Sequence, residues 1–146
     1  MAYSNVSSTY KETKVKTASQ GQLIIMLYDE AVKQLNSAVE LLGKNSEKKD
    51  PGCIEKISKA VMKAEEIITE LTVSLDFDQG GEISKNLFSL YTWFNRELLE
   101  ANISHDIKRI IAVRDMLVNL RNVWNEVAAR FNEPAGREIV GLDVAG

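Results

Sequence analysis

The chain is poor in several residue types on which protein chemistry commonly relies: its 146 residues include one cysteine, one histidine and two prolines. The single thiol, Cys53, excludes an intramolecular disulfide. Charge is nearly balanced, with 18 Lys and Arg against 21 Asp and Glu for a net of -3. A clustered cationic surface of the kind that grips phosphate is therefore not expected, and neither is nucleic acid as the main partner. No apolar run approaches the roughly 20 residues that cross a bilayer. Leu23-Ile24-Ile25-Met26-Leu27-Tyr28 is followed at once by Asp29 and Glu30. With no apolar segment of signal-peptide type near the N-terminus, the expected compartment is the cytoplasm, without direct membrane insertion. The glycosylation-type matches at Asn5 and Asn102 carry no weight there.

Catalytic and metal chemistry lack their usual residues. His105 stands alone in a turn, without a motif that would seat it beside a nucleophile, and reads as a solvated turn residue. Cys53 opens a predicted helix whose dipole favours a thiolate, yet no motif surrounds it, and a small, partly buried residue is the plainer reading. Di-metal helical bundles use Glu-x-x-His pairs, of which there are none, and Glu65, Glu66 and Glu70 fall mostly off their helix's apolar seam, as on a solvated face. Phosphate-cradling glycine loops are also missing. The expectation is a protein without enzymatic activity, cofactor or metal ligands.

What the sequence has is helical periodicity. Ser19 is a natural N-cap with Gln22 three residues on, and Ile24, Leu27, Tyr28, Ala31, Leu35, Ala38 and Leu42 share one sector of a helix that ends at Gly43. Pro51 and Gly52 close the following loop. A second helix, 53–75, sets Ile54, Ile57, Val61, Ala64, Ile68, Leu71 and Leu75 on a heptad seam. A third, 82–102, offers Ile83, Leu87, Leu90, Tyr91, Phe94, Leu98 and Ala101. After Asp106 as N-cap, a fourth repeats the alternation through Ile110, Val113, Leu117, Leu120, Trp124, Val127 and Phe131. Four helices of similar length with short loops predict an all-α fold, an antiparallel up-down four-helix bundle over residues 19–131. Residues 1–18 read as a mobile N-terminal arm able to dock through Tyr3, Val6, Tyr10 and Val15. Residues 132–146, with Pro134, Gly136 and Gly141, read as a flexible tail.

Several apolar residues fall off these seams: Ile25 and Met26, then Phe88 and Leu99, then Ile107, Ile111 and Val118. Together they predict a surface that something covers. An amphipathic or extended client in a groove is one such cover, with the arm as a removable lid that lays Tyr10 and Val15 over Ile25 and Met26. The candidate client-binding residues are Tyr10, Met26, Leu27, Phe88, Leu99, Ile107, Ile111 and Val118, with core packing the alternative for each.

The segment "YKETKVKTASQGQLIIMLYDEAV" closely resembles the flagellar secretion chaperone family, FliS, at Tyr10, Val15, Thr17, Ala18, Ser19, Leu23, Met26, Leu27, Tyr28, Asp29 and Ala31. Gln20 stands where the family usually has proline, and Glu30 where it usually has glycine. A second segment is similar at Leu75-Asp76, Gly80-Gly81, Asn86-Leu87, Leu90-Tyr91 and Ala101-Asn102, and Trp124 fits a tryptophan near the end of the last helix. The resemblance implies a helical bundle that binds the C-terminal segment of flagellin in the cytoplasm, prevents premature polymerisation and delivers it to a membrane export-gate component of the flagellar type III apparatus. The competing expectation is a self-associating bundle whose surplus apolar faces form a homodimer without an export client.

Overall fold

The computed structural model describes residues 20–44 and 50–132, which form four α-helices: α1 (Gln20–Lys44), α2 (Pro51–Val73), α3 (Phe77–Ser104) and α4 (Ile107–Asn132). The expected arm and nearly all of the expected tail lie outside the described residues, as does Ser19.

Helix boundaries follow from local chemistry. Asp50 caps α2 by accepting from Gly52 N at 3.1 Å, with Pro51 in the first turn, where its missing N–H costs nothing. Pro51 and Gly52 thus begin the helix instead of closing the loop. Asp76 caps α3 by accepting from the amides of Asp78 and Gln79, both at 3.0 Å. The helix therefore starts five residues before the expected Glu82. At the far end His105 adopts the left-handed conformation (φ 56°), and Asp106 accepts from Lys108 N to cap α4, as its position in the sequence predicts.

The helices form a ring in which α1 packs most broadly, against α2 and α4, and α3 closes the circle with slimmer contacts to both. Cross-helix pairs fix the directions. Asp29 and Asn36 of α1 meet Arg121 and Arg114 of α4, and Ser58 and Thr69 of α2 meet Asn102 and Asn95 of α3. Rising numbers on one helix face falling numbers on the next, so both pairs are antiparallel. Inside the ring the heptad seams are buried as the periodicity predicts: Tyr28, Ala31, Leu35 and Ala38; Ile57, Val61, Ala64, Ile68 and Leu71; Tyr91, Phe94, Leu98 and Ala101; Ile110, Val113, Leu117 and Trp124.

One seam residue was misplaced. Ile83 is exposed, and Ser84 is buried in its stead. Gly81 interrupts the helix with φ 53° and ψ -125°, so the register that runs 101, 98, 94, 91, 87 continues to 84 and then stops at the kink. Burial of Ser84 is tolerated because its hydroxyl donates to the Asp76 carbonyl at 2.8 Å.

Candidate functional site

Large apolar side chains left in solvent are concentrated on one helix. Among the described residues, α3 exposes Phe77, Ile83, Phe88, Trp93, Leu99 and Ile103, α2 exposes Met62 and Val73, α4 exposes Met116 and Val123, and α1 exposes none. The asymmetry follows from the ring: α1 is flanked broadly on both sides, whereas α3 is the thinly covered member.

At 100° per residue, Phe88, Thr92, Asn95, Leu99, Asn102 and Ile103 fall on the flank of α3 that faces α2, since Asn95 and Asn102 are hydrogen-bonded to that helix. The matching flank of α2 carries Ser58, Met62, Glu65, Thr69 and Val73. The result is a groove with a polar floor, where Asn95 Nδ2 donates to Thr69 Oγ1 at 3.2 Å and Asn102 Nδ2 donates to Ser58 Oγ at 3.1 Å. Its rims are apolar: Met62 (51% exposed) and Val73 (80%) on one side, Phe88 (46%), Leu99 (54%) and Ile103 (69%) on the other. At one end the Phe77 ring stands edge-on to Phe88, centroids 6.0 Å apart, because the kink at Gly81 folds the first turn of α3 toward it.

Three oxygens in this groove, Glu65 Oε1, Asn95 Oδ1 and Asn102 Oδ1, are shut off from solvent and accept no hydrogen bond. Burial, and secondarily the charge of neighbouring Glu66, pushes the Glu65 carboxyl above its ordinary pKa. Glu65 is therefore a half-buried groove residue and not part of a solvated face.

At the pole where α1 and α3 begin, Trp124 Nε1 donates to Tyr28 Oη at 3.1 Å, and the Tyr28 and Tyr91 hydroxyls share a hydrogen bond. Burial is the main cause of the raised pKa of both phenols. For Tyr91 the neighbouring Tyr28 adds to it, whereas for Tyr28 the bonds to Tyr91 and Trp124 offset part of it. Beside this network lies a cleft of about 10 Å³, room for roughly one water, lined in part by Ile24, Leu75, Ser84, Leu87 and Trp124.

The sequence-derived candidates distribute unevenly. Phe88 and Leu99 lie in the exposed groove. Met26 and Leu27 are half-buried on α1, and Ile25 belongs to the buried core cluster, on the flank that Asp29 and Asn36 turn toward α4. Ile107, Ile111 and Val118 are half-buried on the α4 flank that carries Arg114 and Arg121, away from α3. Tyr10 and Val15 lie outside the described residues. Met62, Val73, Phe77, Trp93, Ile103, Met116 and Val123 were not anticipated. Ile103, four residues after Leu99, was legible as part of the same stripe. His105 is an exposed helix terminator, and the Cys53 thiol donates to the Leu41 carbonyl at 3.8 Å, so both have structural explanations.

The groove is an exposed, largely apolar surface, and comparison with known proteins gives the chain a family. Residues 2–130 match the family model described as flagellar protein FliS. The chain belongs to the FliS family. It is 36% identical over 135 residues to the flagellar secretion chaperone FliS of Salmonella typhimurium strain LT2, covering 90% of this chain and 93% of that relative. The FliS chaperone of Escherichia coli K12 is 33% identical over 79% of this chain and 80% of its own length, and that of Bacillus subtilis 168 is 29% identical over 86% and 88%. FliS is a family of chaperones and not of enzymes.

Several positions that carry the FliS resemblance turn out to hold the bundle together. Tyr28 from the first segment, Tyr91 from the second and Trp124 meet in one hydrogen-bonded cluster. Asp29 pairs with Arg121 at 2.7 Å, Asp76 caps α3, Gly81 supplies the kink and Ala101 is fully buried.

Proposed function

We propose that this protein is a cytoplasmic export chaperone that binds the disordered C-terminal segment of flagellin, prevents its premature polymerisation and delivers it to the export gate of the flagellar type III apparatus. The observation that carries this reading is the run of exposed apolar side chains along α3, on a chain of the FliS family. A disordered segment gains by laying apolar residues on such a face, and the ordering cost keeps the complex releasable. Among the described helices none is long and apolar enough to cross a membrane, which accords with a chaperone that meets the gate from the cytoplasm.

Phe88 and Leu99 serve as central client contacts. Met26, Ile107, Ile111 and Val118 form a secondary surface along α1 and α4, and Leu27 a separate contact on the other flank of α1, both reached when the arm moves. In the free protein Tyr10 and Val15 dock beside Ile25 and Met26. Deleting residues 1–16 is expected to raise binding of a hydrophobic dye and to change client affinity, and no change in either removes the lid from the account.

The test of the whole reading is flagellin polymerisation in vitro at equimolar chaperone. Suppression of filament growth by full-length flagellin, and no effect on flagellin lacking its C-terminal segment, is the expected result. Equal growth with and without the protein contradicts it.

A further inference from the structure

The α2–α3 groove is more than an apolar strip, and its floor specifies part of what lies on it. Resting on the export reading above, we propose that this groove seats a client segment whose apolar residues pack on Met62, Val73, Leu99 and Ile103 while its side-chain N–H donors reach the oxygens of Glu65, Asn95 and Asn102.

The two amide oxygens can only accept, as does Glu65 when ionised, and all three are buried without a donor. Each asparagine uses one end of its amide on a hydroxyl of α2 and leaves the other end unused. Polar atoms removed from water are normally paired, because an unmade hydrogen bond in a dry site is costly. Residues 95 and 102 are one heptad apart, so the acceptors repeat along the groove at the spacing with which a helix presents one face. The covering side chains are adaptable. Met62, whose thioether accepts from Ser58 at 4.0 Å, and Leu99 are both half-exposed, and an unbranched thioether side chain adapts readily to what packs on it.

Charge points the same way. Between Ala64 and Ser84 the chain carries Glu65, Glu66, Glu70, Asp76, Asp78 and Glu82 and no Lys or Arg. Of the floor residues Glu65 lies in this stretch and Asn95 and Asn102 beyond it, and an acceptor floor bordered on one side by acidic residues favours an occupant that brings donors and disfavours one that brings carboxylates. Amide and cationic side chains share this donor chemistry, and salt distinguishes them, because only charged donors lose affinity steeply as salt rises. Asn95 and Asn102 thus act as specificity residues, separate from the apolar rims that provide most of the contact area.

The experiment is titration of a fluorescently labelled flagellin C-terminal segment with the full chain and with Asn95→Leu/Asn102→Leu, at low and high salt. Asn119→Leu, on an exposed outward position of α4, is the control for the substitution itself. The double variant is expected to melt within a few degrees of the parent and to bind about tenfold more weakly or worse, while the control binds as the parent does. Affinity of the double variant within twofold of the parent overturns the inference and leaves the export reading standing. No binding by the parent chain overturns both. Should the double variant fail to fold, each single substitution is scored by the same rule, and Glu65→Gln adds an independent reading: loss of salt dependence if the donor is cationic, unchanged salt dependence if it is an amide.

Discussion

Trp124, near the end of α4, donates its indole N–H to the hydroxyl of Tyr28, in the third turn of α1, across 3.1 Å. Because Tyr28 also bonds to Tyr91, α1 meets α3 and α4, both remote from it in sequence, at one buried point. Tyr28→Phe removes the acceptor and leaves the indole donor unpaired, at an expected cost of about 1–3 kcal/mol. Urea unfolding followed by tryptophan fluorescence measures it. A cost near zero means that the network adds nothing to the packing of the rings.

The same burial makes a prediction at alkaline pH. Both Tyr28 and Tyr91 have raised pKa values, so the folded protein holds their protons where unfolded tyrosines release them. Stability is therefore fully retained below the ordinary tyrosine range near 10 and falls as pH rises above it. Absorbance titration of the four tyrosines is expected to show Tyr28 and Tyr91 ionising only as the fold is lost. Smooth ionisation of all four with helicity intact contradicts this.

Glu65 behaves in the opposite window. Its raised carboxyl pKa means the native state binds the proton more tightly than the unfolded state does, so stability rises as pH falls from neutrality toward the ordinary glutamate range near 4.5. Glu65→Gln is expected to stabilise the protein at pH 7 and to flatten this part of the pH profile. Thermal unfolding of both proteins between pH 5 and 8 checks it, and a less stable variant at neutral pH refutes it.

Gly81 is held at a backbone conformation that side chains oppose, although a Cβ there meets nothing within 4 Å. Gly81→Ala is thus a pure backbone test, with an expected loss of about 1–2 kcal/mol. Retention of full stability implies that the kink relaxes freely.

Much of this architecture was legible because helical periodicity reports which arc of a helix is apolar. The seams of α2 and α4 were read correctly down to Ile57, Val61, Ala64, Val113 and Leu117. Periodicity does not report where the phase is reset, and so Ile83 was misplaced across the Gly81 kink. Nor does it report how wide an arc the neighbours cover. Ile25 looked surplus but is buried on the α4-facing flank of α1, whereas Ile103 and Val73, near the ends of α3 and α2, stand in solvent. Glu65 looked solvated because a carboxylate off the apolar seam reads as surface until its depth is known. Of the candidate client contacts on the described helices, Phe88 and Leu99 lie on the exposed groove. Met26, Leu27, Ile107, Ile111 and Val118 are half-buried, because α1 packs broadly against both α2 and α4.

The central claim, that the α3 face takes up flagellin's C-terminal segment by burying apolar surface, is tested most directly by calorimetric titration at two temperatures. The parent chain is expected to bind one segment with a negative heat-capacity change. Phe88→Ala/Leu99→Ala, at half-exposed positions where unfolding stability should move by no more than about 0.5 kcal/mol per site, is expected to bind more weakly with a smaller heat-capacity change. Binding with the parent's affinity and heat-capacity change by this variant contradicts the claim.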